Sequence, residues 1–300
     1  TGGTVIFRSA NANQGVILGS AAGSYGESNL DGGTLEVPRL YLGSGAGVLN
    51  LNGGVLRVAT NLFLSGFVSG VVARVGAGGA VFDTAGYDAT VRSDLADGGG
   101  GGGLTKIGPG VLTLAGNNTY AGPTHVSNGT LRVNGGHGPG LITVHGGATL
   151  GGVGTVASVF VDAGGALAPG NSAGTLTVGG NLTLSATSVL DFELDAPNLP
   201  GGSGSDFVTG VQALVLAGTL NVTPLAGFGT PVLGDRWLLI HYAAGSLTDH
   251  DPQVGTAPAL DPGLSYDIQA DDVNGDVYLT VIPEPASVSL AGLAAAMALL

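Results

Sequence analysis

Residues 110–114 read Gly-Val-Leu-Thr-Leu, and residues 129–133, 19 positions later, read Gly-Thr-Leu-Arg-Val. Both place apolar side chains on either side of one polar residue, Thr113 or Arg132. A period of two is that of a half-buried β-strand with its apolar side inward. The glycine that opens each phrase is turn chemistry. The phrase returns as Gly-Thr-Leu-Glu-Val (33–37), Gly-Val-Leu-Arg-Val (54–58), Gly-Thr-Leu-Thr-Val (174–178) and Gly-Thr-Leu-Asn-Val (218–222). From leucine to leucine, Leu35 to Leu56 is 21 residues, Leu112 to Leu131 is 19, Leu131 to Leu176 is 45 and Leu176 to Leu220 is 44. The last two intervals read as double units. A second phrase keeps similar time: VILGS (16–20), LYLGS (40–44) and LFLSG (62–66).

A unit of roughly 20 to 24 residues, built of short strands and glycine turns, predicts one coil of a right-handed parallel β-helix. Helical repeats need longer units of about 33 to 47 residues and strong helix formers. Coils stacked about 4.8 Å apart would turn nine or so units into a rod of about 45 Å. Each coil buries its face only against its neighbours, so stability is a near-neighbour sum. Leu35 and Leu56 are expected inside and stacked, with Glu36 and Arg57 outside.

Composition agrees. Of 300 residues, 58 are Gly and 14 are Pro, but 44% are hydrophobic and only 10% charged, too apolar a mixture for a disordered chain. The apolar residues are mostly small aliphatics, which suit a narrow interior. The 21 Asp and Glu against 8 Lys and Arg leave a net charge of −13. That disfavours nucleic-acid binding, which needs clustered cations, and anionic membrane surfaces. With no cysteine there are no disulfides and no thiolate metal sites. The chain starts Thr1-Gly2-Gly3, and an export signal upstream is expected. Asp97 precedes six glycines, Gly98 to Gly103. No Gly-Lys-Ser/Thr follows, so they do not cradle a phosphate; a flexible loop bulging between two coils is expected.

Residues 78 to 135 hold Leu104-Thr105-Lys106, Gly108-x-Gly110, Leu112-Thr113-Leu114, Asn118-Thr119-Tyr120 and Gly129-Thr130-Leu131 in that order. This run resembles the autotransporter-associated β-strand repeat. The resemblance implies a parallel β-helix of the kind found in secreted bacterial passenger regions. Lys106, the chain's one lysine, stands at the repeat's usual lysine position. Read by itself it is a solvated turn residue.

Gly170-Asn171-Ser172-Ala173-Gly174 fits the Gly-x-Ser-x-Gly nucleophile elbow. An elbow needs a helix after the serine. Here a strand phrase follows, so Ser172 reads as part of a turn.

Beyond Leu194 the pattern changes to a Pro- and Gly-rich loop and then strand-like runs, with the one tryptophan, Trp237. The expected order is therefore solenoid coils in 1–97, a poly-glycine loop in 98–103, coils with the repeat in 104–194, a β-rich C-terminal cap in 195–280 and a tail in 281–300. A solenoid needs a cap because an open last coil is an aggregating edge.

The tail holds Pro283-Glu284-Pro285 and then 15 residues without a charge, Ala286 to Leu300. It resembles the PEP-CTERM sorting signal, with Pro283, Glu284 and Pro285 as the signal residues. That resemblance implies an exosortase-type membrane processing enzyme as partner and transient membrane insertion through a short C-terminal apolar helix. The apolar stretch falls short of the about 20 residues a span needs, and the family's Arg-rich end is absent. The other reading is a terminal helix packed on the core. On either reading the prolines end the preceding strand.

Catalytic and metal chemistry is sparse. His125, His137, His145, His241 and His250 show no metal-ligand spacing, and His125 reads as facing solvent. Asp249-His250-Asp251 reads as a solvated loop. Asp272-Val-Asn274-Gly-Asp276 alternates oxygen ligands as a calcium loop does, but Val277 and Pro283 occupy the positions that need Gly and Glu, so a hairpin is favoured, with Asn274-Gly275 at its tip. Asp83, Asp88, Asp94 and Asp97 are the densest acids, and Asp83 lies in the repeat's own Phe-Asp-Thr-x-Gly turn. Asn117, Asn128, Asn181 and Asn221 begin sequons.

These readings give an all-β protein with no catalytic residue, metal or cofactor assigned, and a non-enzymatic function is expected. It would be a structural or adhesive protein, secreted or at the cell surface of a Gram-negative-type bacterium. An extracellular matrix or biofilm is its expected setting, and an exopolysaccharide a further partner. The alternative is a β-helical polysaccharide lyase or hydrolase. It predicts a carboxylate-lined groove with Arg or Lys beside it. An autotransporter passenger is a third reading, set aside because nothing like barrel strands follows Pro-Glu-Pro.

Overall fold

The computed structural model describes residues 3–6, 15–60 and 66–284. Among them every regular element is a β-strand, 32 in all. Two parallel sheets of 11 strands each run the length of the stack. The first wall takes one strand per coil from Thr4–Ile6 to Leu247–Asp249, and the second from Val16–Leu18 to Gln253–Val254. A third wall is split. Early coils supply a sheet of four strands, and late coils a sheet of six. Eleven coils, not nine, are therefore stacked among the described residues. Their length varies from 17 residues (Val144 paired with Val161) to 34 (Leu220 paired with Val254). Turns and corners absorb that difference while the paired strands stay in register.

Leu35 pairs with Leu56 and Glu36 with Arg57. Leu56 is fully buried, Leu35 packs on the core from a half-buried position, and Arg57 bridges outward to Glu36 at 3.4 Å and Asp83 at 3.0 Å. The interior is a column of small aliphatics. On the second wall Leu112, Leu131, Leu150 and Leu167 stack in register. All four are fully buried, each side chain contributing about 1.5–3 kcal/mol by leaving water.

The strand phrase does not keep to one wall. It forms first-wall strands at Thr34–Val37 and Val55–Val58, second-wall strands at Val111–Leu114, Gly129–Val133 and Thr219–Pro224, and a third-wall strand at Thr175–Val178. The interval from Leu131 to Leu176 is thus not two equal coils. Leu131 is followed on its own wall by Leu150, Leu167 and Leu190. Alternation reports which side of a strand is buried and is blind to which wall the strand joins.

Two coils, those with strands 104–114 and 124–133, lack a third-wall strand. Polar side chains bind the corner in its place. Asn118 accepts the Leu95 amide at 3.0 Å and donates to the carbonyls of Gly116 and Gly136 at 3.1 and 2.8 Å. Tyr120 is fully buried, hydrogen-bonded to Thr124 Oγ1 at 2.6 Å and packed edge-on against His137. Burial lowers the His137 imidazole to about 4.

Lys106 is not the solvated turn residue expected of it. It is fully buried. Its ammonium donates to Thr84 Oγ1 at 2.9 Å and to the carbonyls of Ile107, Gly108 and Asn128 at 3.1, 2.6 and 2.9 Å. Those oxygens come from three successive coils, which the lysine ties together. Removal from water lowers its pKa to about 8, with Asp83 opposing the change.

The glycine run is a stacked corner at its ends rather than a loop along its length. A Cβ on Gly102 would collide with the Gly76 carbonyl oxygen, and one on Gly103 with that of Pro123. Gly99 and Gly101 alone in the run have open space and positive φ.

At the far end the last two strands, Leu264–Asp271 and Asp276–Pro283, pair antiparallel and close the six-stranded sheet. The expected hairpin at Asn274-Gly275 forms, with Gly275 at φ 74°. The last strand ends at Pro283, opposite Leu264, as expected of the first proline. The missing N–H is tolerated at a strand end. Pro285 and the expected C-terminal helix lie outside the described residues. Among the described residues no helix is long and apolar enough to cross a membrane.

Candidate functional site

The outward residues of the second wall form rows along the stack. One row runs Thr113, Arg132, Gly151, Ala168, and continues past the Leu167–Leu190 pair to Asp191 and Asn221. Gly151 and Ala168 carry almost no side chain, so the row dips between Arg132 and Asp191. The dip is a groove of about 380 Å³, within the range of small-ligand sites. Arg132 bounds one end, Asp191 and Glu193 the other, and the turn at Asn171 and Ser172 one side.

Asp206 forms the back of the groove. It is 1% exposed. Its carboxylate accepts the Gly174 amide at 2.9 Å and the Glu193 amide at 2.7 Å, fastening the 170–174 turn to the strand Val189–Leu194. Burial pushes its pKa up to about 7, helped by the nearby Glu193 charge and opposed by the two amides. Glu193 Oε2 is sealed from solvent without a hydrogen-bond partner. Asp191 accepts from Asn221 Nδ2 at 2.9 Å. Among the described residues no ion pair or hydrogen bond engages the Arg132 guanidinium.

Ser172 lines this groove, but the strand Thr175–Val178 follows it and no helix does. The four acids singled out in the repeat region do not converge. Asp83 accepts from the Ala85 amide, Asp88 from Val111, Asp94 from Asn117 and Asp97 from Gly99, so each fixes a turn or corner. His125 stacks on His145, Nδ1 to Nε2 at 3.3 Å, and His145 lies 3.6 Å from Asp162. His241 bonds Asp276 at 2.8 Å. Asp271 binds Asn274 at the hairpin tip, which lowers its pKa. The Asp249–Asp251 loop is exposed and closed by its own Asp251 amide. Among the described residues no three His, Asp or Glu side chains gather as a metal site. In the sequence Ser172 was marked as part of a turn and Arg132 only as the polar residue of its strand phrase, while Asp191, Glu193 and Asp206 went unmarked. The usable signal was the pair of outward acids in Val-Leu-Asp-Phe-Glu-Leu (189–194), the one place where a repeat strand carries two.

Residues 104–133 match the family model of the Passenger-associated-transport-repeat. The chain is similar to the Adhesin BmaC autotransporter of Brucella suis biovar 1 (strain 1330), 40% identical over 134 residues. It is also similar to an Extracellular serine protease of Serratia marcescens, 38% identical over 124 residues. These stretches cover 43% and 41% of this chain but only 4% and 11% of the two relatives. Residues 104–133 thus carry the passenger-associated repeat, which returns attention to the passenger reading set aside above. The second relative corrects the expectation of a non-enzymatic protein: similar coils occur in an enzyme.

Proposed function

We propose that this chain is surface-displayed solenoid from an adhesive passenger region, and that its second wall presents a polar groove to an extracellular ligand. The observation that supports this most is the stack of eleven coils, among the described residues, around a passenger-type repeat. An acidic, lysine-poor exterior suits a rod that must stay soluble outside the cell. An extracellular matrix or biofilm containing exopolysaccharide would be its setting. Pro283-Glu284-Pro285 would be the sorting signal read by an exosortase-type membrane enzyme. A second reading, a polysaccharide-degrading enzyme, is favoured by the carboxylates and the arginine that share the groove.

Display is tested with an epitope inserted at Gly101, where the corner has open space, in the full protein in its host. Antibody should label intact cells or released protein. Labelling only after permeabilisation would overturn the proposal. For the tail, Glu284→Ala should change the partition between envelope and medium if the signal is read.

A further inference from the structure

The groove's two ends carry opposite charge, its floor is bare, and the carboxyl of Asp206 is buried behind it. Arg132 stands on one coil and Asp191 three coils on, about 14 Å along the wall at about 4.8 Å per coil. A surface arginine usually finds a carboxylate, as Arg57 does here with Glu36 and Asp83. Arg132 shares the groove with Asp191, Glu193 and Asp206 and, among the described residues, engages none of them. The bare floor at Gly151 and Ala168 holds them apart. Hydroxyls line the groove at Thr130, Thr149, Ser172 and Thr223, and its one aromatic residue, Phe192, is 1% exposed and offers no open ring face to a flat ligand.

We infer that the groove binds a zwitterionic saccharide segment, one that carries a carboxylate and a free amine on neighbouring sugars. This rests on the reading of the groove as a ligand site. Arg132 takes the carboxylate as a fork, a geometry that lysine cannot reproduce. Asp191 takes the ammonium, with Glu193 beside it on the groove adding negative charge. The sugar hydroxyls exchange hydrogen bonds with the Thr and Ser hydroxyls. A purely anionic chain would meet the acids at the far end, and a purely cationic one would meet Arg132. The groove therefore selects by charge at both ends, accepting one pattern and repelling the others.

The test is calorimetric titration of the whole protein with four probes. They are a tetrasaccharide alternating glucosamine and glucuronate with free amines, its N-acetylated parent, a chitosan tetramer, and the dipeptide Lys-Glu. The free-amine tetrasaccharide should bind at least about tenfold tighter than the others, since each end adds a charged hydrogen bond. Arg132→Ala should reduce its affinity to the level of the chitosan tetramer. Asp191→Asn with Glu193→Gln should reduce it to that of the N-acetylated parent. Arg74→Ala, on another wall, should leave it unchanged. Equal affinity for all the saccharides, tight binding that survives Arg132→Ala, or no saccharide binding would overturn the inference. Equal or tighter binding of Lys-Glu would transfer the site to peptides and overturn the saccharide class. Intact-cell labelling is scored separately, so a displayed protein with an idle groove rejects this inference and leaves surface display standing.

Discussion

Raising the pH from 8 to 10 should stabilise this protein, through Lys106. In the unfolded chain its ammonium holds its proton to about 10.5, and in the folded chain to about 8. Between those values the unfolded state binds more protons, so unfolding becomes harder as pH rises. The full separation of 2.5 pKa units corresponds to about 3 kcal/mol at 1.36 kcal/mol per unit. Buried tyrosines limit the window. Desolvation raises Tyr120 and Tyr242, and pushes Tyr266 up to about 12. Above pH 10 the unfolded tyrosines lose protons first, and stability falls. The profile should therefore rise by about 2 kcal/mol from pH 8 and turn over near pH 10. Urea denaturation followed by Trp237 fluorescence gives the global curve. Amide exchange in residues 104–133 gives the local one, which matters because solenoid coils can open separately. In Lys106→Met the rise should vanish while the fall above pH 10 remains. A flat wild-type profile between pH 8 and 10, or the same rise in Lys106→Met, would refute the buried-lysine account.

Gly102→Ala should destabilise by about 2–4 kcal/mol, because the collision with the Gly76 carbonyl forces neighbouring coils apart. Gly101→Ala, in open space at φ 69°, should cost only about 1 kcal/mol; equal effects by chemical denaturation would return the run to a free loop. Asp206→Asn should destabilise by about 1–3 kcal/mol at pH 8, since the amide offers one oxygen to two backbone donors. In the wild type the folded carboxyl keeps its proton to about 7 and the unfolded one to 3.8, so this group's contribution declines as pH rises between them. The variant's denaturation midpoint should lack that decline.

The solenoid was legible because stacked coils repeat one short instruction, an alternating strand opened by glycine. The walls were not legible, because the strand phrase carries no label for the side it joins: Thr175–Val178 and Thr219–Pro224 share a phrase and lie on different walls. Lys106 was misread although the alternation marked it. In Leu104-Thr105-Lys106 the lysine falls on the leucine's side, and both are buried. The charge argued for water, and only the four oxygens of three coils explain why it lost. The groove escaped for a different reason. Its shape comes from what Gly151 and Ala168 lack, and its charges from Arg132 and Asp191 on other coils. No local window contains all four residues. Asp206 was hidden in the same way, since it closes a turn that lies 32 residues earlier at Gly174.

Engineered cysteine pairs test the stacked register most directly, since the chain has no cysteine of its own. Thr143 pairs with Phe160 in the next coil, and Phe160 with Thr183 in the one after. Adjacent partners lie about 4.8 Å apart, within the Cα range of a disulfide, and second neighbours about 9.6 Å apart, beyond it. Mild oxidation of Thr143→Cys with Phe160→Cys should close an intramolecular disulfide, and Thr143→Cys with Thr183→Cys should stay reduced. Efficient closure of the second pair, or none of the first in a folded protein, would contradict the parallel coil-on-coil stack.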